Sequence, residues 1–133
     1  LWADHFMDYP DRFVNALNRA DTYIQTHPKQ LVFFGETPRF PNQNLGWIHV
    51  GKTDEYDMRE FLGWKYHPEL TDCEEMFGSG DWLWNPGYFI FDIDFMLELY
   101  QQHVPDMYHA LVEMTDDESK IEMNYLKLKA VHF

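Results

Sequence analysis

The chain has 133 residues, of which 45% are hydrophobic, and this composition suits one domain with an apolar core rather than two domains. Its formal net charge of −13 argues against binding to nucleic acids or to an anionic membrane surface, because both need basic residues to meet phosphates. The sequence has no apolar run near the roughly 20 residues of a membrane span and no signal-peptide pattern at its N-terminus, and its single cysteine excludes a disulfide within the chain. We therefore expect a cytoplasmic protein.

Apolar periodicity predicts strands and helices that mingle along the chain, which indicates the α/β class. Asp8 is expected to cap the first helix, and Asp92 and Asp94 the helix that follows the last complete strand. The predicted elements, in chain order, are a helix from Pro10 to His27-Pro28, strands at 31–34 and 45–50, a polar turn at 51–55, a strand at 56–66, a helix from Pro68 to Gly78, a strand at 87–91, and helices over 93–100, 105–114 and 116–128. Residues 131–133 predict the start of another strand. Because both ends fall inside predicted elements, we expect a single incomplete domain over residues 1–133.

The short helix after Pro68 is expected to turn Leu70, Cys73 and Phe77 inward. Cys73 is interpreted as a small buried or half-buried residue, since free cysteines pack as small hydrophobes. The acidic residues of this helix are expected to form a solvated face: Asp72, Glu74 and Glu75.

Two charged residues lie at the ends of predicted strands, where ligands of α/β proteins often bind. Asp4 comes after an apolar stub, and a carboxylate there could hold a divalent metal on a phosphate. The alternative for Asp4 is a helix cap or a loop position. Lys65 lies among aromatic residues and could meet a phosphate as a point charge. The alternative for Lys65 is a surface lysine whose stem covers apolar neighbours.

The stretch Trp84-Asn85-Pro86-Gly87 is the most informative one for binding. The amide of Asn85 offers donors and an acceptor that suit sugar hydroxyls. Trp84 supplies a flat apolar wall, and Gly87 lets a backbone approach closely. The alternative is an ordinary turn beside a core tryptophan.

Taken in order, these segments resemble the sugar-1-phosphate nucleotidyltransferases, most closely the mannose-1-phosphate guanylyltransferases. The Trp-Asn-x-Gly stretch is the most specific part of the match, and the order of the other segments supports it. The matching segments are Ala3-Asp4-His5, residues 31–38 with Gly35 and Pro38, Leu45-Gly46-Trp47-Ile48, residues 78–91 and residues 125–133.

The resemblance implies part of a Rossmann-like nucleotide-diphospho-sugar transferase fold, with a mixed sheet flanked by helices. It implies transfer of GMP from GTP to mannose 1-phosphate, with Mg²⁺ neutralising the charge that develops on the phosphates. By position, Asp4 would be a catalytic metal ligand, and Lys65 would be a catalytic residue that binds the sugar phosphate. Gly46 would offer its backbone to the sugar. Asn85 would bind the sugar hydroxyls, and Gly87 would give them room.

The chain departs from the family in three places. The glycine-rich nucleotide loop is absent, and a second metal carboxylate would lie past Phe133. The family's Glu-Lys-Pro stands here as Trp64-Lys65-Tyr66, in which the glutamate is not matched. We therefore expect GTP and a sugar 1-phosphate to be substrates of a longer parent, and this chain to be inactive alone.

Two other readings remain open. The chain could be a non-catalytic sugar-phosphate-binding or regulatory module derived from this family. It could also be a binding domain that shares only the α/β layout, because fold does not determine function. An unpaired strand at the edge of its sheet would favour a homo-oligomer.

Overall fold

A computed structural model describes residues 6–129 of the chain, where helices and strands mingle as predicted for the α/β class. The elements are α1 (Pro10–Thr26), β1 (Leu31–Phe33), β2 (Gly46–Thr53), β3 (Arg59–Lys65), α2 (Leu70–Ser79), β4 (Trp82–Asn85), β5 (Phe89–Phe91), α3 (Ile93–His103), α4 (Pro105–Asp116), a 3₁₀ turn (Glu118–Lys120) and α5 (Ile121–Tyr125). The strand predicted at 131–133 lies outside the described residues. Within residues 6–129, no helix combines the length and the apolar character needed to cross a membrane.

The described strands form two sheets. β2 is the central strand of an antiparallel sheet with the order β3-β2-β4, and β1 pairs with β5 in a two-stranded sheet. The sequence does not predict β4, whose residues are expected to connect a helix with the next strand. They instead pair with the first half of β2, from Gly46 opposite Asn85 to His49 opposite Trp82.

The turn between β2 and β3 lies later in the chain than predicted. β2 continues to Thr53, so the expected polar turn at 51–55 is wrong for its first three positions. Asp54 closes the observed turn, because its Oδ1 accepts a hydrogen bond from the backbone N–H of Met58 at 2.8 Å. Asp57 adopts a positive φ of 59°, a conformation that short polar residues tolerate in turns.

The described residues divide into two compact units, residues 6–27 with 31–90 and residues 28–30 with 91–129. In the first unit, α2 packs on one face of the three-stranded sheet. Cys73 points inward as predicted, but Leu70 and Phe77 are 47% and 41% exposed, so their prediction as core residues is wrong. Met76 takes their place one turn after Cys73. The buried group formed by the helix and the sheet is Trp47, Cys73, Met76 and Trp84.

α1 belongs to a second buried group of the first unit. Ala20 and Ile24 of α1 pack against Val32 of β1. The predicted cap by Asp8 is wrong, because Tyr9 occupies the N-cap position and makes no side-chain capping bond. A proline in the first turn suits the helix start instead, since its missing N–H would have had no partner there.

The second unit is helical. Asp92 caps α3 as predicted, accepting a hydrogen bond from the backbone N–H of Phe95 at 3.0 Å. Asp94 does not form the cap. It lies in the first turn, where its negative charge interacts favourably with the positive end of the helix dipole. Asn124 of α5 is buried, and its Nδ2 donates to Glu113 Oε2 of α4 at 3.1 Å. This bond ties the last two helices together.

Candidate functional site

Gly46 and Asn85 lie directly opposite each other at one end of the three-stranded sheet. A Cβ atom placed on Gly46 would lie 3.5 Å from Cβ and 3.8 Å from Nδ2 of Asn85. Because Gly46 has no side chain, the backbone of β2 stays open beside the amide of Asn85. A ligand can therefore approach both groups together.

Asn85 also forms the turn that follows β4. Its Oδ1 accepts a hydrogen bond from the backbone N–H of Gly87 at 2.9 Å, and Gly87 has a φ of 76° that favours glycine. The Oδ1 atom is therefore engaged in the turn. No hydrogen-bond partner for Nδ2 is found in the described part of the chain, so two amide donors are available to a ligand. The turn is therefore compatible with the binding role predicted for Asn85.

Lys65 is the last residue of β3 and lies opposite Trp47, the neighbour of Gly46. Its Nζ is 2.5 Å from Oδ2 of Asp72 on α2. Asp72, which was predicted to lie on a solvated helix face, is partly exposed and pairs with a lysine from the neighbouring strand. The two side chains are 47% and 36% exposed, so the pair is within reach of a ligand.

Lys65 and Asn85 share one end of the sheet but lie on opposite faces of it. Directly opposed residues of antiparallel strands place their side chains on the same face. Lys65, Trp47 and Trp84 form one such row, on the face covered by α2. Gly46 and Asn85 form the next row, on the other face. Two strand spacings separate Lys65 from Asn85, which is about 10 Å.

The loop over residues 37–45 leads into Gly46 and is fixed by the two tryptophans. Asn42 accepts a hydrogen bond on its backbone oxygen from Nε1 of Trp47 at 2.9 Å. The guanidinium of Arg39 lies 5.5 Å from the centre of the Trp84 ring, within the range of a cation–π contact. These contacts hold the start of β2, and hence Gly46, against the end of β4.

Cys73 is a core residue rather than a nucleophile. Its side chain is fully buried, and its Sγ lies 3.9 Å from the backbone oxygen of Pro68. Burial raises the pKa of the Cys73 thiol, and the negative charge of Asp72 adds to the increase. A thiol with a raised pKa is a poor source of thiolate.

A second polar group lies at the far end of the β2–β4 ladder from Gly46. His49 Nε2 is 3.2 Å from Asp81 Oδ2, and the His49 ring stacks on Trp82 with centroids 4.5 Å apart. Ser79 Oγ donates a hydrogen bond to Oδ1 of the same carboxylate. The bond from Ser79, followed by the bond with His49, holds the pKa of Asp81 below its ordinary value. No local motif could have predicted this group, because His49 and Asp81 are 32 residues apart.

Neither of two open cavities contains a predicted site residue. One, of about 590 Å³, lies between α1 and the turn at Tyr56 and Met58. The other, of about 620 Å³, is formed by α4, the segment before it and the residues after α5. The candidate site is therefore the end of the three-stranded sheet that carries the predicted residues Gly46, Lys65 and Asn85.

The predicted metal ligand, Asp4, lies outside the described residues. Within residues 6–129, no group of three or more His, Cys, Asp and Glu side chains is placed to hold a metal ion. Ligation of Mg²⁺ by Asp4 therefore stays a prediction.

Comparison with known proteins confirms the resemblance found in the sequence. The chain is 32% identical over 114 residues to mannose-1-phosphate guanylyltransferase of Escherichia coli K12, which covers 83% of this chain and 23% of the relative. It is 30% identical over 117 residues to the Salmonella typhimurium enzyme of the same name, with the same two coverages. A Vibrio cholerae protein provisionally given this name is 32% identical over 108 residues, or 81% of this chain and 23% of the relative. The chain thus spans about 23% of the length of these relatives.

Two solved structures share the fold. One, described as mannose-1-phosphate geranyltransferase from Thermus thermophilus, superposes on 88% of this chain and 35% of its own, with a TM-score of 0.70 and 24% identity. The other, mannose-6-phosphate isomerase from Helicobacter pylori, covers 85% of this chain and 42% of its own, with a TM-score of 0.68 and 23% identity. At these identities the likeness concerns the fold alone. No family model matches the chain.

Proposed function

We propose that this chain is the sugar-binding part of a nucleotidyltransferase domain that makes GDP-mannose from GTP and mannose 1-phosphate. The observation that carries the proposal is the shared position of Gly46, Lys65 and Asn85 at one end of the β3-β2-β4 sheet. The supporting fact is that relatives at 30–32% identity are named for this reaction. On this proposal the chain works in the cytoplasm as part of a longer polypeptide.

In the proposed complex, the ligand lies over Gly46 and reaches both faces of the sheet. The Nδ2 donors of Asn85 bind sugar hydroxyls on one side, while Oδ1 stays bound to the Gly87 N–H. Lys65 binds the phosphate on the other side as a point charge. The strands that carry Lys65 and Asn85 are about 10 Å apart at this end of the sheet. A side chain at position 46 would fill the path between them.

The role of these residues in the reaction is to bind and orient. In-line attack of the sugar phosphate on the α-phosphorus of GTP needs the attacking oxygen held in place, and positioning supplies much of the rate in phosphoryl transfer. Mg²⁺, with Asp4 as one ligand, would neutralise charge on the phosphates when bound. GTP itself would be bound by parts of the relatives that this chain does not span, so the chain alone would be inactive.

Calorimetric titration of the 133-residue chain with mannose 1-phosphate tests the binding half of the proposal. We expect a dissociation constant of about 1 mM or tighter, the range typical of enzyme substrates, and weaker binding of mannose without its phosphate. Asn85→Ala should remove the contribution of the sugar to the binding of mannose 1-phosphate, whereas Asn124→Ala, in the helical unit, should leave this binding unchanged. Absence of binding by the folded chain would count against the proposal.

The catalytic half needs the longer protein that contains this chain. Release of pyrophosphate from GTP and mannose 1-phosphate in the presence of Mg²⁺ is the expected result. A second candidate, the non-catalytic binding module, is favoured by one observation: Trp64 stands where the resemblance places a glutamate before Lys65. Binding of mannose 1-phosphate without pyrophosphate release from any sugar phosphate would select that module.

A further inference from the structure

The ion pair between Lys65 and Asp72 joins the end of β3 to the first turn of α2. Its atoms, Lys65 Nζ and Asp72 Oδ2, are 2.5 Å apart, and neither side chain is buried. The residue directly before Lys65 in β3 is Trp64 and not a carboxylate. The carboxylate comes instead from a different element, seven positions later in the chain.

The ion pair leaves both donors on Lys65 and an acceptor on Asp72 unused. A lysine ammonium has three N–H donors, of which one points to Asp72, and a carboxylate has two oxygens, of which one accepts from Lys65. No second partner is found for either group in the part of the chain that the structure describes. Two cationic donors and one anionic acceptor, Asp72 Oδ1, are therefore available side by side.

A sugar 1-phosphate carries the complementary groups, since its phosphate is an anion and its hydroxyls are donors. Inorganic phosphate would meet Lys65 equally well, and the charge of Asp72 would repel either anion, but only the sugar phosphate has sugar hydroxyls that can donate to Asp72 Oδ1. The long stem of lysine is flexible, and fixing Nζ before the ligand arrives reduces the entropy lost on binding. The pair thus suits a ligand that has both phosphate and hydroxyls.

We propose that Asp72 is a positioning and specificity residue of the sugar-phosphate site: it holds Lys65 Nζ at the end of β3 and accepts a hydrogen bond from a sugar hydroxyl. The inference rests on the proposed function, because it assumes that the ligand is a sugar 1-phosphate. Its consequence is a preference for sugar phosphates over inorganic phosphate that depends on the charge of Asp72.

The test compares two ligands and four proteins by calorimetric titration of the full chain. The ligands are mannose 1-phosphate and inorganic phosphate, and the proteins are the wild type, Asp72→Asn, Asp72→Glu and Glu74→Gln. Glu74→Gln is the matched control, because it removes the same charge from an exposed position of the same helix. A half-exposed ion pair adds little to stability, so Asp72→Asn should remain folded, and its thermal unfolding curve checks this.

We expect Asp72→Asn to weaken the binding of mannose 1-phosphate about ten-fold, the loss expected when a hydrogen bond to a charged group is removed. Its binding of inorganic phosphate should be unchanged or tighter. Asp72→Glu should recover part of the lost affinity, and Glu74→Gln should match the wild type.

Three results overturn the inference. Equal weakening of both ligands would make Asp72 a structural support without a role in specificity. Equal or tighter binding of mannose 1-phosphate by Asp72→Asn would mean that Asp72 only masks Lys65. Failure of the wild-type chain to bind mannose 1-phosphate would reject the proposed function as well. The first two results, obtained with a wild-type chain that binds, would reject only the role of Asp72, so the two failures can be told apart.

Discussion

Trp47 and Trp84 face each other across β2 and β4, with ring centroids 6.3 Å apart and ring planes at 82°. Both are almost completely buried, at 0% and 3% exposure, and this edge-to-face arrangement is favourable for aromatic pairs. Each is the chain neighbour of a candidate site residue, Gly46 in one strand and Asn85 in the other. The tryptophan pair therefore sets the distance between Gly46 and Asn85 in the candidate site.

The two tryptophans differ in the hydrogen bonding of their indole N–H groups, and this difference gives a stability prediction. Trp47 Nε1 donates to the backbone oxygen of Asn42, whereas no partner for the buried Trp84 Nε1 is found among the described residues. Trp47→Phe removes a made bond, while Trp84→Phe removes an unsatisfied donor. We expect Trp47→Phe to lower the free energy of unfolding by about 2 kcal/mol more than Trp84→Phe does. Urea unfolding measures both, and equal losses would contradict the prediction.

Gly46 and Gly35 should respond differently to alanine. At Gly46 the added Cβ meets Asn85 at 3.5 Å, an ordinary contact, so Gly46→Ala should change the free energy of unfolding by less than about 1 kcal/mol. The same methyl group would fill the space beside Asn85, and binding of mannose 1-phosphate should fall at least ten-fold. At Gly35 the added Cβ would lie 2.5 Å from Leu83 Cδ1, so Gly35→Ala should cost about 1–3 kcal/mol through overpacking. Retained binding by Gly46→Ala would remove Gly46 from the site.

The sequence predicts the parts of this fold that depend on local pattern. The helix over residues 10–26 has a proline in its first turn and a histidine-proline pair at its end, and β1 is a short apolar run. β4 has no such signal, because Asn85, Pro86 and Gly87 predict a turn and only pairing with β2 makes the preceding residues a strand. Tertiary contacts decide its structure.

The residues of the candidate site come from the resemblance, but their geometry does not follow from it. The resemblance places Gly46, Lys65 and Asn85 at the site, and strand pairing brings them to one end of the sheet. Which face each side chain takes depends on the register of β3 against β2, and that register shifts after His49. The partnership of Lys65 with Asp72 depends on how α2 returns over the sheet, which no residue spacing encodes.

The roles of the oxygen and the nitrogen of the Asn85 amide can be tested separately by mutation. Asn85→Asp keeps an oxygen for the Gly87 N–H and removes the two Nδ2 donors, so the turn should persist while sugar binding is lost. Asn85→Ala should lose the turn bond too, at about 1 kcal/mol of stability. The matched control is Asn42→Asp, because Asn42 Oδ1 accepts from the Asn44 backbone N–H at 2.9 Å in a similar turn. Titration with mannose 1-phosphate should show a loss for Asn85→Asp alone, and equal losses would point to net charge rather than to the amide.

β3 gives a prediction about self-association. It lies at the outside of the β3-β2-β4 sheet, and in residues 6–129 no strand pairs with its outer side. Leu62, Trp64 and Phe61 in this strand are about half exposed, so the edge combines free backbone groups with apolar side chains. We expect concentration-dependent dimerisation in sedimentation velocity experiments. Leu62→Lys should weaken it, whereas Leu126→Lys, an equal change of charge at an exposed position outside the strands, should not.

Asp81 gives a prediction about pH. Its pKa is lowered in the folded chain, first by the hydrogen bond from Ser79 and then by the bond with His49, relative to an ordinary value of 3.8. A carboxyl group whose pKa is lower in the folded state stabilises the fold at pH values above its unfolded pKa. That contribution is lost as the pH falls from about 4 through the folded pKa. Asp81→Asn should therefore be less stable than the wild type at pH 7, and the difference should shrink as the pH falls below about 4. In a chain that already carries Ser79→Ala, Asp81→Asn should cost less stability at pH 7, because Ser79→Ala removes the largest cause of the lowered pKa. Urea unfolding at several pH values checks this, and a difference that does not change with pH would contradict the role of the Asp81 charge.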